Sequence, residues 1–137
     1  MRKFDNFCKA LENLKEGTKL HEPYSVVEQA GIAGLFGICF EQSWKLAKEI
    51  LELHGRFDVK IGSPRSVIKT AYQCGMINDS DVWLELLESR NILSHTYSDE
   101  ESLEIIRKIN ADYIPALENL KKEIADKWLP ETERGLG

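Results

Sequence analysis

The 137-residue sequence is short of most things that would assign it to a special class. Cysteine is scarce: Cys8, Cys39 and Cys74 form no C-x-x-C pair, and no histidine stands at zinc-finger spacing from them. An odd number of scattered thiols excludes a disulfide framework and is expected of free cysteines in a reducing compartment. Long apolar runs are also missing. The longest uncharged stretch, residues 29–40, falls far below the roughly 20 apolar residues of a membrane span. Met1-Arg2-Lys3 passes directly to Phe4-Asp5-Asn6, so no signal-peptide apolar region follows, and the cytoplasm is the expected location. Excess basic charge is absent too. At −5, with pI near 5.3, the chain is no general polyanion coat, and any nucleic-acid contact has to be confined to a cleft. There are only four prolines, no strand pattern, no repeat and no low-complexity segment.

What remains is helix. The apolar residues Phe4, Phe7, Cys8, Leu11 and Leu14 are spaced three and four apart, predicting a helix over about 2–16 that stops at Gly17. A second, long helix is expected from Ser25 to His54, ended by Gly55. Its middle is apolar almost all round and should be the buried spine of the fold. Gly31, Gly34 and Gly37 recur there every third residue, each costing about 1 kcal/mol of helix stability relative to alanine. A close neighbouring helix would compensate, lying either within the subunit or across a dimer interface. Ser63-Pro64 opens a third helix as N-cap and first-turn proline, running to Gly75. Asp79 opens a fourth that reaches about Ser94. Ser98-x-x-Glu101 has the form of a capping box for a last helix to about Trp128. Apolar residues at 103, 106, 109, 113, 117, 120 and 124 make its seam, and Pro115 must kink it or the helix breaks just upstream. The expected fold is all-α, an antiparallel up-and-down bundle of about five helices over residues 1–128, with 129–137 a flexible tail.

On the fourth helix, Val82, Trp83, Leu86, Leu87 and Leu93 share one broad arc, and Arg90 falls in its middle. A guanidinium there needs full pairing. It is either a structural tie to a buried carboxylate or a group that grips a ligand. Glu41, on the buried helix, is a candidate counter-ion, or simply the polar end of the apolar run. Asn91 and His95 are four apart and neighbour each other on a second face, whereas Arg90 and His95 are about 140° apart on a regular helix. They meet if the helix unwinds near Ser94, or if a second subunit supplies the partner residue across a two-fold axis. Tyr97 falls in the turn beyond. Histidine titrates near neutrality and suits acid–base work, and an arginine beside it suits a phosphate. Metal ligation is poorly supported, since His21, His54 and His95 are scattered. Helix-end and loop roles are expected for His21 and His54. Lys45 and Arg65 are expected to be solvated surface groups or the lining of an entrance, and Trp44 and Trp83 core.

The series Arg90, Asn91, Ser94, His95 and Tyr97 resembles the R-x4-H-x-Y motif of HEPN proteins, in the form R-N-x-x-S-H-x-Y. That form resembles the nucleotidyltransferase substrate-binding protein family. The likeness extends through Phe40-Glu41-x-x-Trp44-Lys45, Ser63-Pro64-Arg65-x-Val67, Ala71-x3-Gly75-x-Ile77-x-Asp79 and Trp83-Leu84, covering most of residues 25–115. The resemblance implies a HEPN-like four-helix core and a homodimeric subunit working beside a minimal nucleotidyltransferase. It implies RNA or a nucleotide as ligand rather than DNA, and no cofactor or metal. In toxin–antitoxin members the HEPN protein is a metal-independent ribonuclease. Its paired Arg and His, here Arg90 and His95 supported by Asn91, lie in a cleft at the dimer interface, and the His promotes attack of the ribose 2′-OH. The nucleotidyltransferase is the antitoxin and in some members adenylylates the motif tyrosine, here Tyr97. The family's name suggests an alternative, a non-catalytic subunit that presents a substrate to the nucleotidyltransferase. Gly31, Gly34 and Gly37 depart from the family's pattern and leave open how the long helix packs at an interface.

Overall fold

Residues 1–96 and 99–130 are described by the computed structural model, and among them every regular element is helical. Helix α1 (Arg2–Glu16) buries Phe7, Ala10, Leu11 and Leu14 against α2 (Val26–Leu53). Gly17 does not stop the chain outright, because one 3-10 turn (Gly17–Lys19) follows. The start of α2 is defined by a reciprocal capping box. Ser25 Oγ accepts from the Glu28 N–H at 3.0 Å, and the Glu28 carboxylate accepts from the Ser25 N–H at 2.8 Å. At its other end Gly55 takes φ +90°, which turns the chain where an L side chain would be strained. Helix α3 (Pro64–Gln73) carries its cap at Ser63, and Gly75 with φ +79° closes it. Helix α4 (Ser80–Leu93) is capped by Asp79, whose carboxylate accepts from the Val82 N–H at 3.1 Å.

The last helix, α5 (residues 100–128), departs from expectation twice. Its cap is Asp99, which accepts from both the N–H and the hydroxyl of Ser102 at 2.8 Å. Ser98 itself lies outside the described residues. At Pro115 the helix neither breaks nor restarts. A π-helical turn (Ile109–Tyr113) precedes the proline and a second one (Ile124–Trp128) ends the helix. The wider turn accommodates a residue with no N–H to donate. The expected seam is buried at Ile106, Ile109, Tyr113, Leu117, Leu120 and Ile124; Ile105 and Ile114 join it, and Leu103 is only half-buried. Leu129, assigned to the tail from sequence, is 4% exposed, and residues 131–137 fall outside the described residues.

Helix α2 is the centre of the antiparallel bundle and touches α1, α3, α4 and α5. Phe36 stacks on Tyr113 with ring centroids 5.6 Å apart, and Phe40 meets Trp83 at 6.4 Å. The expectation that α2 is covered on all sides fails on one. Ile32, Ala33, Phe36, Cys39 and Phe40 are buried, but Gly31, Gly34 and Ile38 face solvent. A β-carbon built on Gly31, Gly34 or Gly37 would meet nothing within 4 Å. No helix of the described part of the subunit approaches these glycines.

A buried polar tie joins α4 to α5. Ser89 and Tyr113 share a hydrogen bond of 2.8 Å, and the Tyr113 hydroxyl donates to Glu85 at 3.0 Å. Glu85 also receives Lys108 at 2.7 Å. Burial pushes the Tyr113 phenol up to about 12. Lys108 donation pulls the Glu85 carboxyl below its usual range, against the opposing effect of desolvation and with help from Tyr113. Removing one hydroxyl from a satisfied network costs about 1 kcal/mol, so Tyr113→Phe should lower urea-unfolding stability by that order. Because its folded pKa is depressed, Glu85 adds stability above its unfolded pKa that is lost as pH falls through the folded value. Glu85→Gln should therefore be less stable at neutral pH, with the gap to wild type closing in acid. A constant gap down to about pH 3 would contradict the assignment.

Candidate functional site

Arg90 lies three residues before the end of α4, where the broad apolar arc leaves it beside α2 rather than beneath it. One edge of the guanidinium is met by Glu41, through Nη1 and Oε1. Another is used by Nε, which donates to Asn91 Oδ1 at 3.0 Å. Its Cζ lies over the Phe40 ring, 5.3 Å from the centroid, a distance at which the ring's quadrupole attracts the cation. The Arg90 side chain is 22% exposed. It is therefore clamped yet still open to solvent on one side.

Glu41 is oriented from behind. Its Oε2 accepts from Trp44 Nε1 at 3.1 Å and lies 3.5 Å from Lys45 Nζ. Spacings of three and four residues put Trp44 and Lys45 on the Glu41 face of α2. Two hydrogen-bond donors, Arg90 and Trp44, and the nearby Lys45 ammonium leave the carboxylate little freedom to swing away from Arg90. Of the two readings for Glu41, the geometry is that of a counter-ion. Trp83 is core, whereas Trp44 is only half-buried and has this polar task. Arg65 is exposed.

The helix ends at Leu93, and a turn follows. The Ser94 N–H bonds the Arg90 carbonyl at 3.1 Å, the Ser94 hydroxyl donates to the Asn91 carbonyl at 2.7 Å, and the His95 N–H bonds the Ile92 carbonyl at 3.1 Å. Asn91, Ser94 and His95 are all exposed. No hydrogen bond joins Arg90 to His95 among the described residues, so the end of the helix does not by itself bring the two side chains into contact. Tyr97 lies outside the described residues.

Arg90, Leu93 and Ser94 form one wall of a groove of about 380 Å3, and Ala30, Ala33, Phe36 and the glycines Gly34 and Gly37 of α2 form the other. The open glycine face and the arginine thus belong to one concavity. Sequence reasoning missed Phe40 as the ring under Arg90 and the small residues of α2 as a groove wall. The usable signal was the Phe40-Glu41 step followed by Trp44-Lys45, one turn on. The other histidines are elsewhere: His21 is exposed in the α1–α2 connection, and His54 Nε2 lies 3.1 Å from the Trp128 carbonyl. No group of three or more His, Cys, Asp or Glu side chains among the described residues converges as a metal site, and no helix there is long and apolar enough to cross a membrane.

Comparison with known proteins gives this architecture a family. The model described as "Nucleotidyltransferase substrate binding protein like" matches residues 2–126, and the chain belongs to that family. It is also 30% identical over 91 residues to the "Probable ribonuclease HepT" of Haemophilus influenzae, a match covering 63% of this chain and 62% of that protein.

If Glu41 holds Arg90, the two side chains must be energetically coupled. A double-mutant cycle of Glu41→Gln and Arg90→Met in urea unfolding should return a coupling of about 1 kcal/mol. Additive effects would place Glu41 outside the site.

Proposed function

We propose that this chain is the ribonuclease subunit of a toxin–antitoxin pair, cleaving RNA without a metal through Arg90 and His95 and silenced by a minimal nucleotidyltransferase. The observation that carries the reading is the clamped but accessible Arg90 on the wall of a solvent-open groove, one turn before an exposed histidine. The family's description and the name of the Haemophilus relative support it.

Phosphodiester cleavage by this pair follows from the side-chain chemistry. A neutral His95 imidazole takes the proton of the ribose 2′-OH as that oxygen attacks phosphorus. The P–O5′ bond breaks, leaving a 2′,3′-cyclic phosphate and a 5′-hydroxyl. Arg90 uses one Nη1 hydrogen on Glu41 and its Nε hydrogen on Asn91. Its remaining N–H groups are available to the two non-bridging oxygens, where negative charge builds up. The leaving 5′-oxygen needs a proton, and a second His95 supplies it in a homodimer. Val27, Gly31, Gly34 and Ile38 form one stripe along α2, with Val27 80% and Ile38 56% exposed. A second copy seated on this stripe brings its own Arg90 and His95 to the same cleft. Tyr97, two residues past His95 in sequence, is the proposed site of adenylylation, which adds an anion to the segment that carries the catalytic histidine.

Glu41 also favours a second reading. An arginine already facing a carboxylate suits a non-catalytic subunit that holds a nucleotide for the nucleotidyltransferase and releases it unchanged.

Cleavage of RNA in chelator, by protein whose Tyr97 is shown unmodified by intact mass, separates the two. Arg90→Lys and His95→Ala should each lower the rate by about 100-fold or more while remaining dimeric. An inactive, unmodified wild-type dimer that binds nucleotide establishes the second reading instead. Gly34→Leu should raise helix stability by up to about 1 kcal/mol, since a β-carbon there meets no atom within 4 Å among the described residues. It should also shift the protein to monomer in light scattering. A dimer of unchanged affinity would rule out this face of α2 as the interface.

A further inference from the structure

On another face of the bundle, the α3–α4 connection and the start of α4 stand against α5. Between them is an open groove of about 780 Å3 that shares no lining residue with the Arg90 groove. Its floor is apolar, with Met76, Ile77, Trp83 and Leu120 buried beneath Val82 and Pro115. Its walls are acidic. Asp79, Asp81 and Glu85 line the α4 side, and Asp112, Glu123 and Asp126 the α5 side. The cations among the lining residues are Lys122 and Lys127, so six carboxylates against two ammoniums leave −4 here, compared with −5 for the whole chain.

Both lysines are engaged within their own helix. Lys122 reaches Asp126 at 3.0 Å and Lys127 reaches Glu123 at 3.5 Å, each four residues apart. Glu85 is matched by Lys108, and Asp79 caps α4. Asp81 and Asp112, both exposed and on opposite walls, form no close ion pair among the described residues, and Lys108, paired to Glu85, attracts Asp112 only at longer range. Backbone chemistry adds to the same imbalance. Pro115, on the lining of the groove, has no N–H to donate. Ala111 and Pro115 both line the groove, and the two π-helical turns of α5 flank this stretch. The groove is rich in acceptors and poor in donors, over an apolar floor.

We propose that this groove is a docking site for a basic amphipathic helix of a protein partner. Apolar residues of that helix cover Val82 and Pro115, and its lysines or arginines meet Asp81 and Asp112. RNA phosphates are repelled by the same charge, so substrate and partner use different faces. A small polycation would satisfy the carboxylates but gain little from the floor, and a protein segment uses both. Attraction between exposed charges is screened by salt over about 10 Å, so the walls steer the partner in and the floor retains it.

The probes are two fluorescein-labelled helical peptides of about fifteen residues. One is an amphipathic Leu/Lys/Arg sequence, and the other has the same charges with serine in place of leucine. Anisotropy titrations compare wild type, Asp81→Lys/Asp112→Lys, and a control reversal outside the groove, Glu12→Lys/Glu52→Lys, with far-UV circular dichroism confirming helicity. The groove reversal should weaken the amphipathic peptide about tenfold or more and the control by less than about twofold. Equal losses in the two variants, or equal affinity for the two peptides in wild type, would overturn the proposal, the latter in favour of a small polycation. Hydrogen exchange on the wild-type protein tests the same point without substitutions. Saturating peptide should slow exchange in residues 75–85 and 111–127, and protection confined to other segments would also overturn it.

Discussion

Helix α2 is too apolar to stand in water on its own, and much of the structure follows from covering it. Ten of its twenty-eight residues are buried, including Phe36 and Phe40, which reach α5 and α4 through Tyr113 and Trp83. At about 25 cal/mol per Å2 of apolar surface removed from water, these rings outweigh any single hydrogen bond in the bundle. α1, α3, α4 and α5 each shield part of the helix. None of them shields the Gly31–Gly34–Ile38 side. Packing demand sets the fold, and the uncovered side of the same helix provides the site with a groove.

Arg90 shows how a charge is kept at the margin of such a core. Full burial would strip its hydration, and full exposure would let it move. Between Glu41, Asn91 and the Phe40 ring it keeps one aspect toward solvent, and Glu41 in turn is held by Trp44 and Lys45. A guanidinium fixed in this way loses little side-chain entropy when it receives an anion. Its neighbour His95 is placed quite differently, exposed on a turn held by backbone bonds to Arg90 and Ile92 and by the hydroxyls of Ser94 and Thr96 on either side. One half of the proposed pair is rigid. The other sits where the chain can respond to a partner.

Charge is divided between faces in the same spirit. The groove over Trp83 gathers acid, while the Arg90 groove is lined by small and apolar residues around one cation. A chain with net charge −5 can in this way present a local site for an anion without becoming a general polyanion binder.

The helices themselves were readable from local chemistry. Period-3.6 apolar spacing, Ser63-Pro64, Asp79, Gly55 and Gly75 act within one or two turns, so sequence alone located all five helix starts and the stops of α2–α4 to within a residue or two. The Arg90–His95 motif and its helix-end setting were equally local. Asp99 took the capping role expected of Ser98; serine and aspartate are both good caps, and pattern cannot rank two that are adjacent in sequence. The π-helical turns around Pro115 were not legible, since whether a helix breaks or widens at a proline depends on what its neighbours still pay to keep buried. Nor could sequence say which side of an all-apolar helix would stay open, that Phe40 would lie under Arg90, or that acids from residues 79–85 and 112–126 would face each other across one groove. Those are relations between segments far apart in the chain, and only the packing of one helix against another decides them.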